Sequence, residues 1–507
     1  MRPLLQQIHT AHTPASLAQL VRGEPGLVLL RSALFEFPHA RYSFVAARPF
    51  LTFRSFGSRC EMEQPSQARQ RCEWDALQHV QFGDPWKALD GLMARYELLD
   101  EIDLPFPLGG CFGYWGYELK NFVEPHLPRR AVNDLDLPDC HAGFYDSLVV
   151  FDHRLAKTWI VSTGLRPDGS SDPRHARRQL DFWRTRLNAA PAMPRPCAPR
   201  PGGEVISNVS RAAFISSVRR AQKYIGAGDI YQVSLSHRLT AEAGISGWDF
   251  FQRLCEVSPA PFSAFLDCGD FQLCSSSPEL FLRLSASQIQ TRPIKGTRPR
   301  SADGARDAQL SCELQTSAKE MAELVMITDL LRNDLGKVCQ YGSVRVPELV
   351  RLERYPQVQH LVSTVAGRLR PEQTHFSAFA SCFPGGSVTG APKIRAMEII
   401  DELEPLTRGP YTGALGYLGF NRESQLSITI RTAICQNPRI HFHVGAGIVS
   451  DSVAEAEYEE TITKAGGFFA ALELAGNPLP PHVVGRNSRR AVTLSPEIES
   501  LVKPHGL

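Results

Sequence analysis

The chain is poor in the features that mark specialised classes of protein, and each absence excludes something. Its 507 residues include 12 cysteines, yet no two stand in a C-x-x-C pair. A disulfide framework or zinc ribbon is therefore not expected, and a reducing cytoplasm is the expected setting. No run approaches the roughly 18 apolar residues of a membrane span, and the opening "MRPLLQQIHTAHTPASLAQL" carries no apolar signal-peptide core. Lys and Arg (55) barely outnumber Asp and Glu (53), leaving a net charge of +2. Neither nucleic acid nor a membrane is thus an expected partner. No internal repeat with a period of about 20–50 residues is present. H-x-E is absent, so Cys111 in "GGCFG" has no such base to activate it, and Trp115 stands where that kind of nucleophile elbow needs Gln. Cys111 is read as a packed strand residue. "GGSVTGAPK" (385–393) lacks G-K-[ST] because Ala391 and Pro392 intervene, so nucleotide binding is not supported.

What remains is an ordinary globular composition, 43% hydrophobic and 21% charged, long enough for two or three domain-sized units. Alternation predicts strands in "GLVLLRSA", "RYSFVAARPFLTFRSFG", "GGCFGYWGYEL" and "YDSLVVFDHRLAKTWIVS". "SDPRHARRQLDFWRTRLNAA" has the period of a helix. It runs into residues 191–204, whose prolines and glycines sustain neither helix nor sheet and read as a linker. Beyond Val205, helices such as "SRAAFISSVRRAQKYIGAG" alternate with strands such as "IYQVSLSHRLT" and "QLSITIRTAI". The expected class is α+β. Its parts are an N-terminal region (1–190), the Pro-rich linker (191–204), a larger unit (205–476) and a weakly periodic tail (477–507).

Two helical stretches carry carboxylates where they should be expensive. "SAKEMAELVMITDLLRNDLG" (317–336) has an N-cap candidate in Ser317 and a stop at Gly336. Its middle is apolar almost all round, which predicts a buried helix. Glu320 and Glu323 share one face of it, so either that end emerges into solvent or the pair needs cations or a metal. In "DSVAEAEYEETITKAGGFFAALELA" (451–475), Tyr458, Ile462, Phe469 and Leu472 form an apolar stripe, while Glu457, Glu460 and Lys464 share another face. Spacing alone favours a solvated Glu-Lys pair there. The two Glu pairs together also suit magnesium, which takes a few hard oxygen ligands and leaves room for water or a ligand's carboxylate. Lys295, in "TRPIKGTRPR" (291–300), reads by itself as a solvated residue in a turn stiffened by Pro293 and Pro299.

In order and spacing, "GDIYQVSLS", "SSSPELF", "PIKGTRPR", "AKEMAELVMITDLLRNDLG", "HLVSTVAG", "FPGGSVTGAPK", "YTGALGY", "ITIRTA" and "VGAGIVSDSVAEAEYEETITKA" resemble the motifs of the chorismate-utilising enzymes. The resemblance covers roughly residues 205–475, and the N-terminal region resembles the companion region of the large amidotransfer subunits. It implies a sandwich of large antiparallel or mixed sheets with helices packed outside. It also implies Mg²⁺ held by Glu323 and Glu460, supported by Glu320 and Glu457, and facing the ring carboxylate of chorismate. Lys464 and the backbone at Gly296, Thr297, Gly445 and Gly447 resemble the family's carboxylate grips. Tyr411 and Arg431 resemble the pair on the enolpyruvyl carboxylate, His360 and Ser387 match positions lining the ring, and Glu279 matches the general acid for the 4-hydroxyl.

Two positions choose among the family's reactions. Members that add water carry Lys as base where this chain has Gln232, and an amide takes no proton at neutral pH. Anthranilate synthases carry P-I-A-G-T. Here P-I-K-G-T resembles the aminodeoxychorismate synthase component I branch, which implies Lys295 as nucleophile and ammonia ending at carbon 4. Lacking residues that hydrolyse glutamine, the chain is expected to receive ammonia from a separate glutamine amidotransferase subunit, for p-aminobenzoate and folate. Anthranilate synthase is the alternative within the family, and a non-catalytic chorismate or tryptophan sensor the alternative outside it. The family's tryptophan pocket is associated with an L-L-E-S tract; this chain reads Leu29-Leu30-Arg31-Ser32, so no feedback role is assigned.

Overall fold

A computed structural model describes residues 2–32, 40–64, 77–98, 104–191, 205–355 and 358–473. The expected linker, save its first residue, and the expected tail lie outside the described residues. Two antiparallel sheets of twelve strands each dominate. The first runs Leu4–Ile8, Lys157–Ser162, Ser147–Asp152, Tyr42–Ala46, Val28–Arg31, Phe262–Asp267, Gln272–Ser277, Thr432–Gln436, Arg439–Ile448, Gln232–Glu242, Val205–Ser207, with Gly390–Ala391 beside Gln232–Glu242. The second runs Ile294–Pro299, Val358–Arg368, Gln288–Arg292, Leu280–Ser285, Glu423–Ile428, Ala414–Gly419, Gly110–Trp115, Cys140–Tyr145, Leu51–Phe56, Arg59–Gln64, Leu77–Phe82, with Arg345–Arg354 beside Val358–Arg368. Each sheet takes strands from both sides of residues 191–204, so the two halves of the sequence share their sheets rather than stack as separate layers.

The sheets face one another through Phe44, Ala264 and Leu266 on one side and Phe112, Leu415 and Tyr417 on the other. The Phe44 and Tyr417 rings meet edge to face at 5.1 Å, a favoured aromatic geometry. Helices cover the outer faces, Pro173–Leu187 and Gly247–Val257 on the first sheet, Pro85–Tyr96 and His375–Cys382 on the second. This is the expected α+β sandwich. No helix among the described residues is long and apolar enough to cross a membrane. Cys111 is fully buried in strand Gly110–Trp115, as its sequence context suggested.

Three local expectations are corrected. Helix Ala318–Gly336 begins at the predicted N-cap, where the Ser317 hydroxyl accepts from the Glu320 amide at 3.4 Å. Its burial is one-sided, however: Leu324, Ile327, Leu331 and Leu335 are buried while Val325 is 44% exposed, because only the i, i+3/i+4 positions reach the sheet. The described part of the stretch 451–475 forms two helices, Ala454–Lys464 and Gly466–Glu473, parted at Ala465 just before the Gly466-Gly467 pair. Tyr458 and Ile462 pack in one core and Phe469 and Leu472 in another. "QLSITIRTAI" is likewise not one strand, since Glu423–Ile428 lies in the second sheet and Thr432–Gln436 in the first. Between them Arg431 adopts φ 49°. Alternation is the same in both halves, so periodicity carries no sign of the step.

Candidate active site

The same kind of step occurs twice, side by side. The chain leaves the first sheet after Gln272–Ser277 and enters the second at Leu280–Ser285, carrying Glu279 in the step; the Glu423–Ile428 to Thr432–Gln436 step carries Arg431. The two are tied by the Ile428 amide donating to the Glu279 carbonyl at 3.0 Å and by the Ser277 hydroxyl donating to the Ile428 carbonyl at 2.6 Å.

Glu279 is 6% exposed. Burial pushes its carboxyl up to about 7, against the opposing pull of a Ser387 hydrogen bond, the Lys295 charge and the Ile294 amide. Lys295 lies on strand Ile294–Pro299, and its Nζ donates to the Ser387 carbonyl at 3.5 Å. Burial lowers its pKa, opposed by Glu323, Glu279 and Glu460 and reinforced by Lys464. The strand's register slips between Lys295 and Thr297, where Gly296 has φ 68°. A Cβ at Gly296 would sit 2.7 Å from Leu314 Cδ1 and 3.0 Å from Glu320 Oε2, so only glycine fits this left-handed turn against the carboxylate helix.

Gln232 is almost fully buried, and its Oε1 has no hydrogen-bond partner among the described residues. A Cβ on Gly447 would lie 2.5 Å from Gln232 Nε2 and 4.0 Å from Lys295 Nζ. A Cβ on Gly445 would lie 2.8 Å from the Tyr411 hydroxyl. Tyr411 stacks on His443 at 5.1 Å, and burial pushes its phenol up to about 12. His360 Nδ1 lies 2.9 Å from Thr297 Oγ1 and 3.3 Å from the Gly296 carbonyl. Burial, aided by the Arg431 charge, pushes His360 down to about 4, so the ring is neutral. Arg431 has no side-chain hydrogen bond or ion pair among the described residues, and burial lowers its pKa. A half-buried guanidinium without a counter-ion calls for an anion.

The carboxylates form a second cluster beside Lys295. Burial raises Glu323, as do Glu320 and Glu457, while Lys295 opposes the rise. Burial and Glu460 raise Glu457, whose Oε1 accepts from Ser452 at 2.6 Å. Glu320 receives Arg298 at 3.4 Å. Glu460 is half exposed and paired with Lys464 at 2.7 Å, the pairing its spacing favoured, and Lys464 also donates to the Gly445 carbonyl at 3.0 Å. Among the described residues no three metal-binding side chains close on one point. Mutually repelling carboxylates on two helices are nonetheless the donor set of a hard cation that completes its shell with water and substrate oxygen, so these residues fit Mg²⁺.

The framework holding the site was not visible in the sequence. Lys393, dismissed with its loop as a failed phosphate motif, donates to Asp334 Oδ2 at 2.5 Å and to the Cys382 and Pro384 carbonyls at 3.1 and 2.9 Å, pinning the segment that presents Ser387. Buried Arg408 binds both oxygens of Glu404, at 2.6 and 2.8 Å, and the carbonyls of Val388 and Ser234. It ties strand Gln232–Glu242 to that same segment. "GAPK" offered a basic residue as a signal, and Glu404 four residues before Arg408 offered a pair, whereas nothing local marks the Ser234 and Val388 carbonyls that Arg408 joins.

A second cavity is lined by Leu30, Arg31, Ser32, Tyr42, Phe262 and Tyr417 among others, where the Leu29–Ser32 tract meets the sandwich. The Ser32 and Tyr42 hydroxyls there have no partner among the described residues.

Comparison with known proteins matches residues 31–470 to a family described as chorismate binding enzyme. Anthranilate synthase component 1 of Acetivibrio thermocellus is 36% identical over 486 residues, covering 94% of this chain and 96% of that protein. Aminodeoxychorismate synthase component 1 of Escherichia coli strain K12 is 40% identical over 463 residues, covering 89% and 94%. A crystal structure of anthranilate synthase component I from Streptococcus pneumoniae TIGR4 superposes with a TM-score of 0.72 at 30% identity, over 85% of this chain and 92% of that one. The chain with the acid, lysine and carboxylate cluster just described belongs to the family of chorismate binding enzymes.

Proposed function

We propose that this chorismate-utilising enzyme is the synthase component of aminodeoxychorismate synthase, converting chorismate and ammonia to 4-amino-4-deoxychorismate and water. The observation that carries the reading is Lys295, a half-buried lysine whose pKa is depressed, next to a buried acid poised near neutrality. The Lys295 amine attacks carbon 2 of chorismate and the ring double bond shifts. The carbon 4–oxygen bond breaks, and Glu279 gives its proton to the departing hydroxyl, releasing water. Ammonia then attacks carbon 4, the double bond shifts back, and the carbon 2–nitrogen bond breaks to free Lys295. The ammonium proton left on the product nitrogen returns to Glu279. One hard displacement becomes two allylic ones.

Arg431 and Tyr411 hold the enolpyruvyl carboxylate, with Arg431 as the missing counter-charge. Lys464 and the amides of Gly296, Thr297, Gly445 and Gly447 hold the ring carboxylate, with His360 and Ser387 against the ring. Gln232 occupies the place of the water-activating base of other members and cannot take up a proton. Glu323 and Glu460 would hold Mg²⁺, supported by Glu320 and Glu457. When bound, the ion supplies positive charge that neutralises and orients the ring carboxylate. "Component 1" in the relatives' names supports a separate partner, which we assign as a glutamine amidotransferase supplying ammonia for p-aminobenzoate and folate synthesis. Relatives named anthranilate synthase favour a second reading, amination at carbon 2. Chromatography of products from chorismate, Mg²⁺ and ammonium decides. The 4-amino product is expected; anthranilate alone would overturn the proposal in favour of the second reading, and no turnover would leave a sensor.

A further inference from the structure

Behind Tyr411 lies a pit that the reaction does not use. It is lined by Glu118, Asn133, Leu137, Asp139, Arg408 and His443 among others and has room at its base for about one water-sized guest. Asn133 is exposed and marks the mouth, while His443, whose ring stacks on Tyr411, forms part of the inner wall.

The lining is unbalanced in charge. Among the described residues Glu118 Oε1 accepts the Arg408 amide, at 2.9 Å, and its buried Oε2 has no partner. Asp139 Oδ2 accepts the Gly57 amide at 2.7 Å. Neither carboxylate is paired with a cation among the described residues. Lys120 acts on both from a distance, but its Nζ is 4.7 Å from the Tyr117 ring centroid and donates to Asn121 Oδ1 at 3.5 Å. The Arg408 guanidinium is taken by Glu404 and backbone carbonyls. Independently of the acids, His443 is only 6% exposed, and its Nδ1 has no partner among the described residues. Burial and the neighbouring Arg238, Arg408, His441 and His237 hold its pKa well below the ordinary value. A neutral imidazole can accept a hydrogen bond or donate a lone pair. Burial raises both carboxylates, and the Asp139 charge adds to the rise of Glu118, to about 7.

We propose that this pit binds one small monovalent cation of the ammonium and potassium class, held by the carboxylates of Glu118 and Asp139 and by His443 Nδ1. Two half-buried carboxylates and a buried acceptor around one water-sized space supply anionic and neutral acceptors to a weakly hydrated ion and leave no room for a hydrated divalent one. If the guest is ammonium, the pit holds the nitrogen donor one ring away from Tyr411, across the stacked His443. That link to nitrogen supply rests on the amination reading, whereas the site itself does not.

The test uses the full chain without chorismate. Its melting temperature is followed in ammonium, potassium or choline chloride at fixed ionic strength. Ammonium and potassium should each raise it by about 2–3 °C over choline near a hundredfold excess over Kd. The rise should disappear in Glu118→Gln and in Leu137→Phe, which fills the pit. A larger rise with ammonium would point to the nitrogen donor as the guest, and a larger rise with potassium to a structural ion. Equal melting in all three salts, or an undiminished rise in both variants, would overturn the proposal. Because either variant could disturb folding, crystals of the parent soaked in thallium(I) acetate give a second readout. An anomalous peak between Glu118 and Asp139 supports the site, and its absence there refutes it. Neither measurement depends on which product the enzyme makes.

Discussion

Replacing Glu279 with Gln should make the protein more stable and nearly inactive. The rise of its carboxyl from an ordinary 4.5 to about 7 corresponds to roughly 3 kcal/mol held against folding once both folded and unfolded states are ionised. Below pH 4.5 neither state is charged and the penalty is absent. Between 4.5 and 7 the unfolded state ionises first, so stability falls as pH rises, and above 7 the full cost remains. Gln removes it while keeping an oxygen to accept from Ser387 and the Ile294 amide. At about 2.1 cal/mol/K per residue, a chain of 507 residues has an unfolding entropy near 1 kcal/mol/K. The variant should therefore melt about 3 °C higher than the parent at pH 8 but only about 1 °C higher at pH 5. The amide cannot protonate the departing hydroxyl, so kcat should fall at least about a hundredfold. In the parent, chorismate turnover should decline above about pH 7 as Glu279 loses its proton. Scanning calorimetry at both pH values and a product assay check the pair of effects. A variant that melts below the parent at pH 8, or that keeps a tenth of its activity, would refute the argument.

Three further outcomes follow from the site. Chorismate without ammonia should leave a fraction of the protein carrying chorismate minus water on the "PIKGTRPR" peptide after rapid acid quenching. In Lys295→Ala the adduct should vanish and the 4-amino product fall steeply, with Lys295→Arg giving no rescue; peptide mass analysis and a rate at parental level would contradict covalent catalysis. Glu323→Gln and Glu460→Gln should each raise the Mg²⁺ concentration needed for half-maximal turnover by about tenfold or more, and an unchanged magnesium titration in both would remove these residues from the metal's ligands. Gly447→Ala, whose Cβ meets Gln232 Nε2 at 2.5 Å, should cost about 1–3 kcal/mol and most of the activity. Gly226→Ala, with nothing within 4 Å, should be harmless in the same urea titration and turnover assay.

What could be read from the sequence was local or carried by motif order. The Ser317 cap, the Glu320/Glu323 face, the Glu460–Lys464 pair and the packed Cys111 all follow from spacing or immediate context. The two steps between sheets do not. Ile428 and Thr432 are both strand residues with ordinary alternation, and only the strands they meet, Leu280–Ser285 and Gln272–Ser277, decide which sheet each enters. The exposure of Val325 escaped for a related reason, since the number of helix faces covered depends on neighbours distant in sequence. Arg408 shows the limit most clearly: its pair with Glu404 is local, but its role is defined by the Ser234 and Val388 carbonyls, which only the fold brings to it.

The sharing of both sheets has a consequence for any attempt to dissect the chain. Strand Phe262–Asp267 is flanked by Val28–Arg31, and Ala414–Gly419 by Gly110–Trp115, so a fragment starting at residue 205 would leave each of these inner strands with one row of amides and carbonyls open to water. Such naked, apolar edges recruit other chains. The fragment carrying nearly all the chemistry is therefore the one least able to stand alone, and separately expressed halves should yield aggregates until mixed, each being the template on which the other's sheets close.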